Sequence, residues 1–220
     1  MTDPYHPPLT AFVYTPEERA AVKIALNAKD PWNHDANDLV AVSEVLRILK
    51  ARLRDHHLER HNNTCCYCRS NLYGGGHFTI DREHILPKDK FREFTYHIEN
   101  LSVACKRCNM QFKKRSIKFL AVDHTHVTSV PGFSAWFHFV HPNLDNWRHH
   151  LRRYAQQIDT YTFVTYKVVN DSAKGLWTWK FFALERLEVE SFDSAQGVKA
   201  LSEEDFAIME QFRQAARNLP

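Results

Sequence analysis

All five cysteines of the 220-residue chain fall between Cys65 and Cys108. Four of them form two C-x2-C pairs, Cys65/Cys68 and Cys105/Cys108, separated by 36 residues. Each pair offers two sulfurs from one tight turn, so the two together match tetrahedral coordination. Zn2+ suits thiolate ligands and brings no redox chemistry. A complete shell of four sulfurs leaves no position for water or substrate, so the ion is read as structural. Cys66 is spare, because pairing it with Cys68 would leave a one-residue knuckle of poor geometry. An odd number of cysteines in one fifth of a chain without a secretion leader argues against a disulfide framework.

A second set lies between the knuckles. The segment from Thr79 to Lys88 contains Glu83-His84, then Ile85, Leu86 and Pro87; Glu99-Asn100-Leu101 follows, and Cys108-Asn109 precedes Lys113 by four residues. These types can serve acid–base and metal-assisted chemistry. A histidine titrating near neutrality is a suitable general base. A hard divalent cation takes oxygen ligands, a carboxylate or an amide carbonyl, and can stabilise the developing charge. Asp81 shares a strand face with Glu83 and is a rival ligand. The bland alternatives are a solvated Glu-His pair, a turn asparagine at Asn100 and a solvated basic helix face. Gly74, Gly75 and Gly76 read as a flexible turn, since no helix start follows them for a phosphate cradle.

The ordered set C-x2-C, carboxylate-His-x2-Pro, Asn-Leu and C-x2-C-Asn-x3-Lys resembles the HNH nucleases, the zinc-ribbon branch of the ββα-metal (His-Me finger) fold. The resemblance spans about residues 64–118, a quarter of the chain. It implies roles residue by residue. His84 is the general base. Glu83 and Asn109 are ligands of a catalytic Mg2+, Mn2+ or Ni2+ ion. Asn100 holds the loop between the strands and so orients His84. Lys113 is the first choice for phosphate contact, with Lys106, Arg107, Lys114 and Arg115 beside it. The products implied are 5′-phosphate and 3′-hydroxyl ends. Two positions depart from the commonest pattern: Glu precedes the base where Asp is usual, and Asn109 stands where many members have His.

The elements that must position these residues follow from pattern. Thr15-Pro16-Glu17-Glu18 starts a helix running to about Lys29. A second helix is predicted from Asn37 or Asp38 to Arg60, with Leu39, Val42, Val45, Leu46, Leu49 and Leu53 as its buried stripe. Short strands are predicted around Phe78–Ile80 and Leu101–Ala104, and a basic helix over Lys106–Leu120. Further on, Asn143–Ile158 reads as a helix, Tyr161–Val169 and Leu176–Leu184 as strands joined through Asn170-Asp171-Ser172, and Ser202-Glu203-Glu204-Asp205 opens a last helix. The class is α+β: an N-terminal helical region (1–62), a zinc-stapled HNH core (63–121) and a C-terminal α+β extension (122–220). That extension loosely resembles those of some prokaryotic HNH proteins, including anti-phage ones.

Charge points the same way. Residues 65–118 hold eleven Lys/Arg against five Asp/Glu, while the whole chain carries only +3. A basic segment in a chain whose remainder is mildly acidic, at −3, suits a local polyanion. No apolar run approaches the roughly 20 residues that cross a bilayer, and the N-terminus lacks a signal peptide's pattern, so a cytoplasmic protein is expected. The reading is a metal-dependent endonuclease cutting DNA, a defence effector with a regulatory partner such as an ATPase. Its rivals are a non-catalytic zinc-ribbon module binding nucleic acid or protein, and an RNA-cleaving toxin on the same scaffold.

Overall fold

The computed structural model describes residues 3–33, 40–74, 76–127, 129, 132–158 and 161–188, with residues 207, 210, 211 and 214. The chain forms two compact units, one of Met1–Phe137 with His141–Asp145, the other of His138–Val140 with Asn146–Pro220. The class is mixed α+β with two small sheets.

In the first unit, helix α1 covers Pro16–Leu26. Thr15 and Glu18 form a reciprocal capping box: Glu18 N–H donates to Thr15 Oγ1 at 3.2 Å, and Thr15 N–H to the Glu18 carboxylate at 2.8 Å. The helix ends before Lys29 because the Asp30 carboxylate organises a turn of its own, accepting from Trp32 N–H at 3.2 Å and Asn33 N–H at 3.1 Å. Helix α2, Val40–Arg60, buries Leu46, Leu49 and Leu53. These pack with Ala21 and Ala25 of α1 against Tyr96, Ile98 and Leu101. The predicted stripe is thus in place, apart from Leu39, which lies outside the described residues. Its partner is the loop between the two strands that follow.

A four-residue helical turn, α3 (Gly76–Thr79), precedes strands β1 (Ile80–His84) and β2 (Leu101–Cys105), which pair antiparallel. The first strand therefore starts where the predicted one ended, and Phe78 stands exposed on α3. The helix expected over Lys106–Leu120 is confined to a π-helical turn at Arg107–Lys113. Lys114 N–H bonds back to Asn109 O at 2.7 Å, and Lys114 turns the chain away at φ 51°. Such widened turns are rare and concentrate at functional sites.

The second unit departs further from expectation. The helix predicted over Asn143–Ile158 is instead a turn, a short 3-10 segment at Trp147–His149 and strand β3 (Leu151–Ile158). Pairing with the β-branched and aromatic strand β4 (Tyr161–Val168) overrides the helical spacing. The strand predicted over Leu176–Leu184 is helix α4, Ala173–Phe181, capped by Ser172 through Gly175 N–H at 3.0 Å. Its aromatics sit at i,i+4, with the Trp177 and Phe181 rings stacked at 4.6 Å. Asn170 and Asp171, both at positive φ, therefore link β4 to α4 and are not a hairpin turn. Gly175 is required here: a Cβ would meet His150 O at 2.3 Å. The predicted helix at Ser202 falls outside the described residues except at its later positions.

The end of α2 carries buried histidines with a testable consequence. Arg69 donates to His61 Nδ1 at 3.1 Å, so that nitrogen is an acceptor and the ring is neutral, with Nε2–H directed at Ser102 Oγ at 3.0 Å. Burial first, and neighbouring arginines second, hold His57 and His61 well below the ordinary 6.5. The unfolded chain binds protons below 6.5 that the native state refuses. Stability is therefore complete above that pH and falls below it, by about 1.4 kcal/mol per pH unit for each such histidine. With saturating zinc, the urea midpoint should be lower at about pH 5.5 than at about pH 7.5, and His57→Leu should flatten the dependence. A midpoint indifferent to pH would contradict the burial.

Candidate metal and catalytic site

The hairpin of β1 and β2 carries two sites at its two ends. Its register pairs Ile80 with Cys105 at one end and His84 with Leu101 at the other, a separation of roughly 13 Å along the strand.

At the first end sit the cysteines. The Cys65–Cys68 turn closes through Arg69 N–H to Cys65 O at 2.9 Å, with Arg69 at φ 57°. It is tied to β2 by Cys66 N–H to Val103 O at 2.9 Å. The second knuckle joins the end of β2 to the π-helical turn, and Cys108 N–H points at Cys105 Sγ at 3.4 Å. All four sulfurs of Cys65, Cys68, Cys105 and Cys108 lie within 4.8 Å of one another, and Cys68 and Cys105 are 3.8 Å apart. Four thiolates about 2.3 Å from one zinc would stand about 3.8 Å from each other. The group therefore fits a zinc ion. Among the described residues no other cluster gathers three or more His, Cys, Asp or Glu ligand atoms. Cys66 stays outside it, and burial holds its thiol well above the usual range.

At the other end, His84 is nearly enclosed. Its Nε2 lies 3.0 Å from Thr95 O. A carbonyl can only accept, so Nε2 carries the proton and Nδ1 remains the acceptor. The Trp32 ring stands against the imidazole edge to face, centroids 4.5 Å apart. Burial, reinforced by the Lys113 ammonium, pushes the His84 pKa down to about 3, so the ring is neutral at pH 7. Asn100 ties the loop behind it: its amide donates to Leu86 O at 3.1 Å and Phe94 O at 3.2 Å, while its Oδ1 accepts from Leu86 N–H at 2.8 Å.

Glu83 and Lys113 lie differently from what their types suggest. Glu83 is 1% exposed, and its Oε1 accepts from Lys113 Nζ at 2.7 Å and Tyr67 OH at 3.0 Å. Burial pushes its carboxyl up, against the pull of Lys113 and Tyr67. Lys113 is 2% exposed and also donates to His84 O. Lys113 lines the cleft that holds His84, with its ammonium engaged by Glu83 and the His84 carbonyl. Asn109, on the π-helical turn, donates its amide to Asp81 Oδ2 at 3.1 Å, leaving Oδ1 as an acceptor. Asp81 also meets Lys106 at 3.3 Å and does not line the cleft that holds His84. By donor type, Glu83 and Asn109 suit a hard cation, and any ion drawing on Glu83 competes directly with Lys113.

Glu83, His84, Asn109 and Lys113 border a cleft of 640 Å³. Arg82, Lys88, Arg92, Lys114 and Arg115 give it a cationic rim. Arg107 instead lies over the Phe112 ring at 4.3 Å. The opposite wall, Lys29–Trp32, comes from the link between α1 and α2. Reading the sequence missed Trp32, Tyr67 and Thr95. Only the acidic Asp30-Pro31 stop before Trp32 marked that stretch, and nothing in it announces contact with a residue more than fifty positions away.

No family model and no solved structure matches the chain. One curated protein does so locally: the chain is 40% identical over 52 residues to the Septu protein PtuB of Bacillus thuringiensis, a stretch that is 24% of this chain and 20% of that protein. The chain thus resembles about a fifth of a Septu protein and carries a four-cysteine cluster able to hold zinc.

Proposed function

We propose that the protein is a metal-dependent HNH-type endonuclease that hydrolyses DNA phosphodiester bonds, with a structural zinc separate from the catalytic ion. The observation that carries this reading is the state of His84. Its Nε2–H is held by Thr95 O, which leaves a neutral Nδ1 free to act as base inside a cationic cleft. A general base needs that tautomer and a fixed ring.

The cationic rim binds the phosphate backbone, with Lys88, Arg92, Lys114 and Arg115 as contacts. His84 Nδ1 takes a proton from the attacking water, and the Thr95 carbonyl stabilises the imidazolium through Nε2–H. A histidine with a low pKa in the free protein is a weak base, and the negative charge of an entering phosphate strengthens it. Asn100 keeps the loop that carries Thr95 fixed to Leu86. A divalent ion held by Glu83 and Asn109 would supply charge stabilisation at phosphate and at the leaving 3′-oxygen. Backbone contact alone implies low sequence specificity. Likeness over 52 residues to a Septu protein supports a prokaryotic defence setting, and a regulatory partner such as an ATPase is part of the same proposal.

Plasmid cleavage with Mg2+, Mn2+ or Ni2+ tests the reading, with EDTA and His84→Ala as controls. The expected result is ion-dependent nicking or linearisation that falls by about 10²- to 10⁴-fold in His84→Ala while zinc content is unchanged. Undiminished cleavage in that variant would put the active site elsewhere. Cleavage of RNA but not plasmid would select the toxin reading. Tight nucleic-acid binding without cleavage by any ion would select the non-catalytic module.

A further inference from the structure

We infer that Trp32, contributed by the link between α1 and α2 and not by the hairpin, is a positioning residue that covers His84 and holds its ring in the orientation the cleft uses. The hydrogen bond from His84 Nε2 to Thr95 O fixes one edge of the ring. The half-buried indole stands against the same ring, centroids 4.5 Å apart and planes at 85°. Edge-to-face pairs of this kind favour one ring orientation over others.

Trp32 is itself held from several directions, which makes it a rigid wall. The Asp30 carboxylate accepts its backbone N–H at 3.2 Å. Lys88 of the loop between β1 and β2 pairs with Asp30 at 3.1 Å, and Tyr96 OH donates to Pro31 O at 2.8 Å. The Arg92 guanidinium donates to the carbonyls of Leu26 and Lys29, both at 2.9 Å. From α2, Lys50 Nζ stands 5.0 Å over the indole, a cation on an aromatic face. Tyr96 packs beside it with ring centroids 5.2 Å apart. Three elements thus converge on the side chain that stands against His84. The site therefore extends beyond the cysteine-flanked hairpin to the link between α1 and α2.

This rests on His84 being the base, and the test separates the two ideas. Carbethoxylation of His84 by diethyl pyrocarbonate, mapped by mass spectrometry, reads cover without needing cleavage. It should run roughly tenfold faster in Trp32→Ala, since a covered group reacts only through opening. In plasmid cleavage, kcat should fall on the order of 10- to 10²-fold with KM unchanged, as a misplaced base requires. Trp32→Phe, which keeps an aromatic edge, should restore both readings to within about threefold of the native protein. Zinc content and melting temperature identify a variant that has lost its fold, and Trp32→Leu then carries the test with the same directions. An unchanged carbethoxylation rate overturns the inference. A raised KM at unchanged kcat also overturns it, because Trp32 would then be a substrate contact. If the native protein cuts nothing while His84 protection still depends on Trp32, the positioning contact stands and the nuclease reading falls.

Discussion

One zinc per chain, and loss of the folded first unit when that zinc is stripped, is the expected result of chelation. The four sulfurs lie within 4.8 Å of one another, and they join the turn after α2 to the far end of β2. Without an ion, thiolates so placed repel, and as buried thiols they make only weak hydrogen bonds. Structural zinc sites of this kind carry about 10–16 kcal/mol of apparent binding free energy, against a typical total stability of about 5–15 kcal/mol. Removing the ion therefore exceeds what the small core can supply. Elemental analysis should find one zinc in the native protein and none in Cys105→Ser, with loss of the cooperative melting transition in that variant and after strong chelation. Cys66→Ser is the control: it should keep the zinc and most of the stability. A metal-free protein that melts cooperatively at the native temperature would show the cluster to be four buried thiols and nothing more.

The second large effect belongs to the Glu83–Lys113 pair. Both side chains are almost wholly enclosed, at 1% and 2% exposure, and meet at 2.7 Å. Lys113→Met leaves a buried carboxylate facing Tyr67 alone, and Glu83→Leu leaves a buried ammonium with only the His84 carbonyl. Breaking such a pair from one side costs about 3–5 kcal/mol, whereas replacing both members with apolar groups is often close to neutral. Urea unfolding at constant zinc should therefore show each single variant strongly destabilised and Glu83→Leu/Lys113→Met recovering most of the loss. Single variants within about 1 kcal/mol of the native protein would mean that the pair is hydrated, as surface pairs are. The cycle also bears on chemistry, because the ammonium occupies the side of Glu83 where an ion would be drawn.

These two expectations differ in how they can be reached. The cysteine cluster is legible from spacing, because two C-x2-C pairs impose a geometry that few other structures satisfy. The capping box at Thr15 and the stripe on α2 are legible for a similar reason: they are local patterns with one strong physical solution. The strand and helix exchanged in the second unit show the opposite case. Leu151–Ile158 has no decisive period, and it becomes a strand because Tyr161–Val168 is available to pair with it. Leu176–Leu184 is rich in aromatics, a strand-like composition, yet Ser172 caps a helix there and stacks Trp177 on Phe181.

At the candidate site, residue types and order alone determined the chemistry on offer: sulfur for a structural ion, an imidazole beside oxygen donors, and a basic segment for a polyanion. Local bonding rules suffice for that, since ligand preference and proton affinity belong to the side chains themselves. Only the tertiary structure decided which of these groups are free to act. Lys113 carries a charge that solvent would welcome, yet β1 and the π-helical turn enclose it against Glu83. His84 owes its tautomer to Thr95, eleven residues away, and its cover to Trp32, fifty-two residues away. Burial and partnership depend on which distant segments pack together, and that packing is settled by apolar surface leaving water over the whole unit, not by the residues on either side.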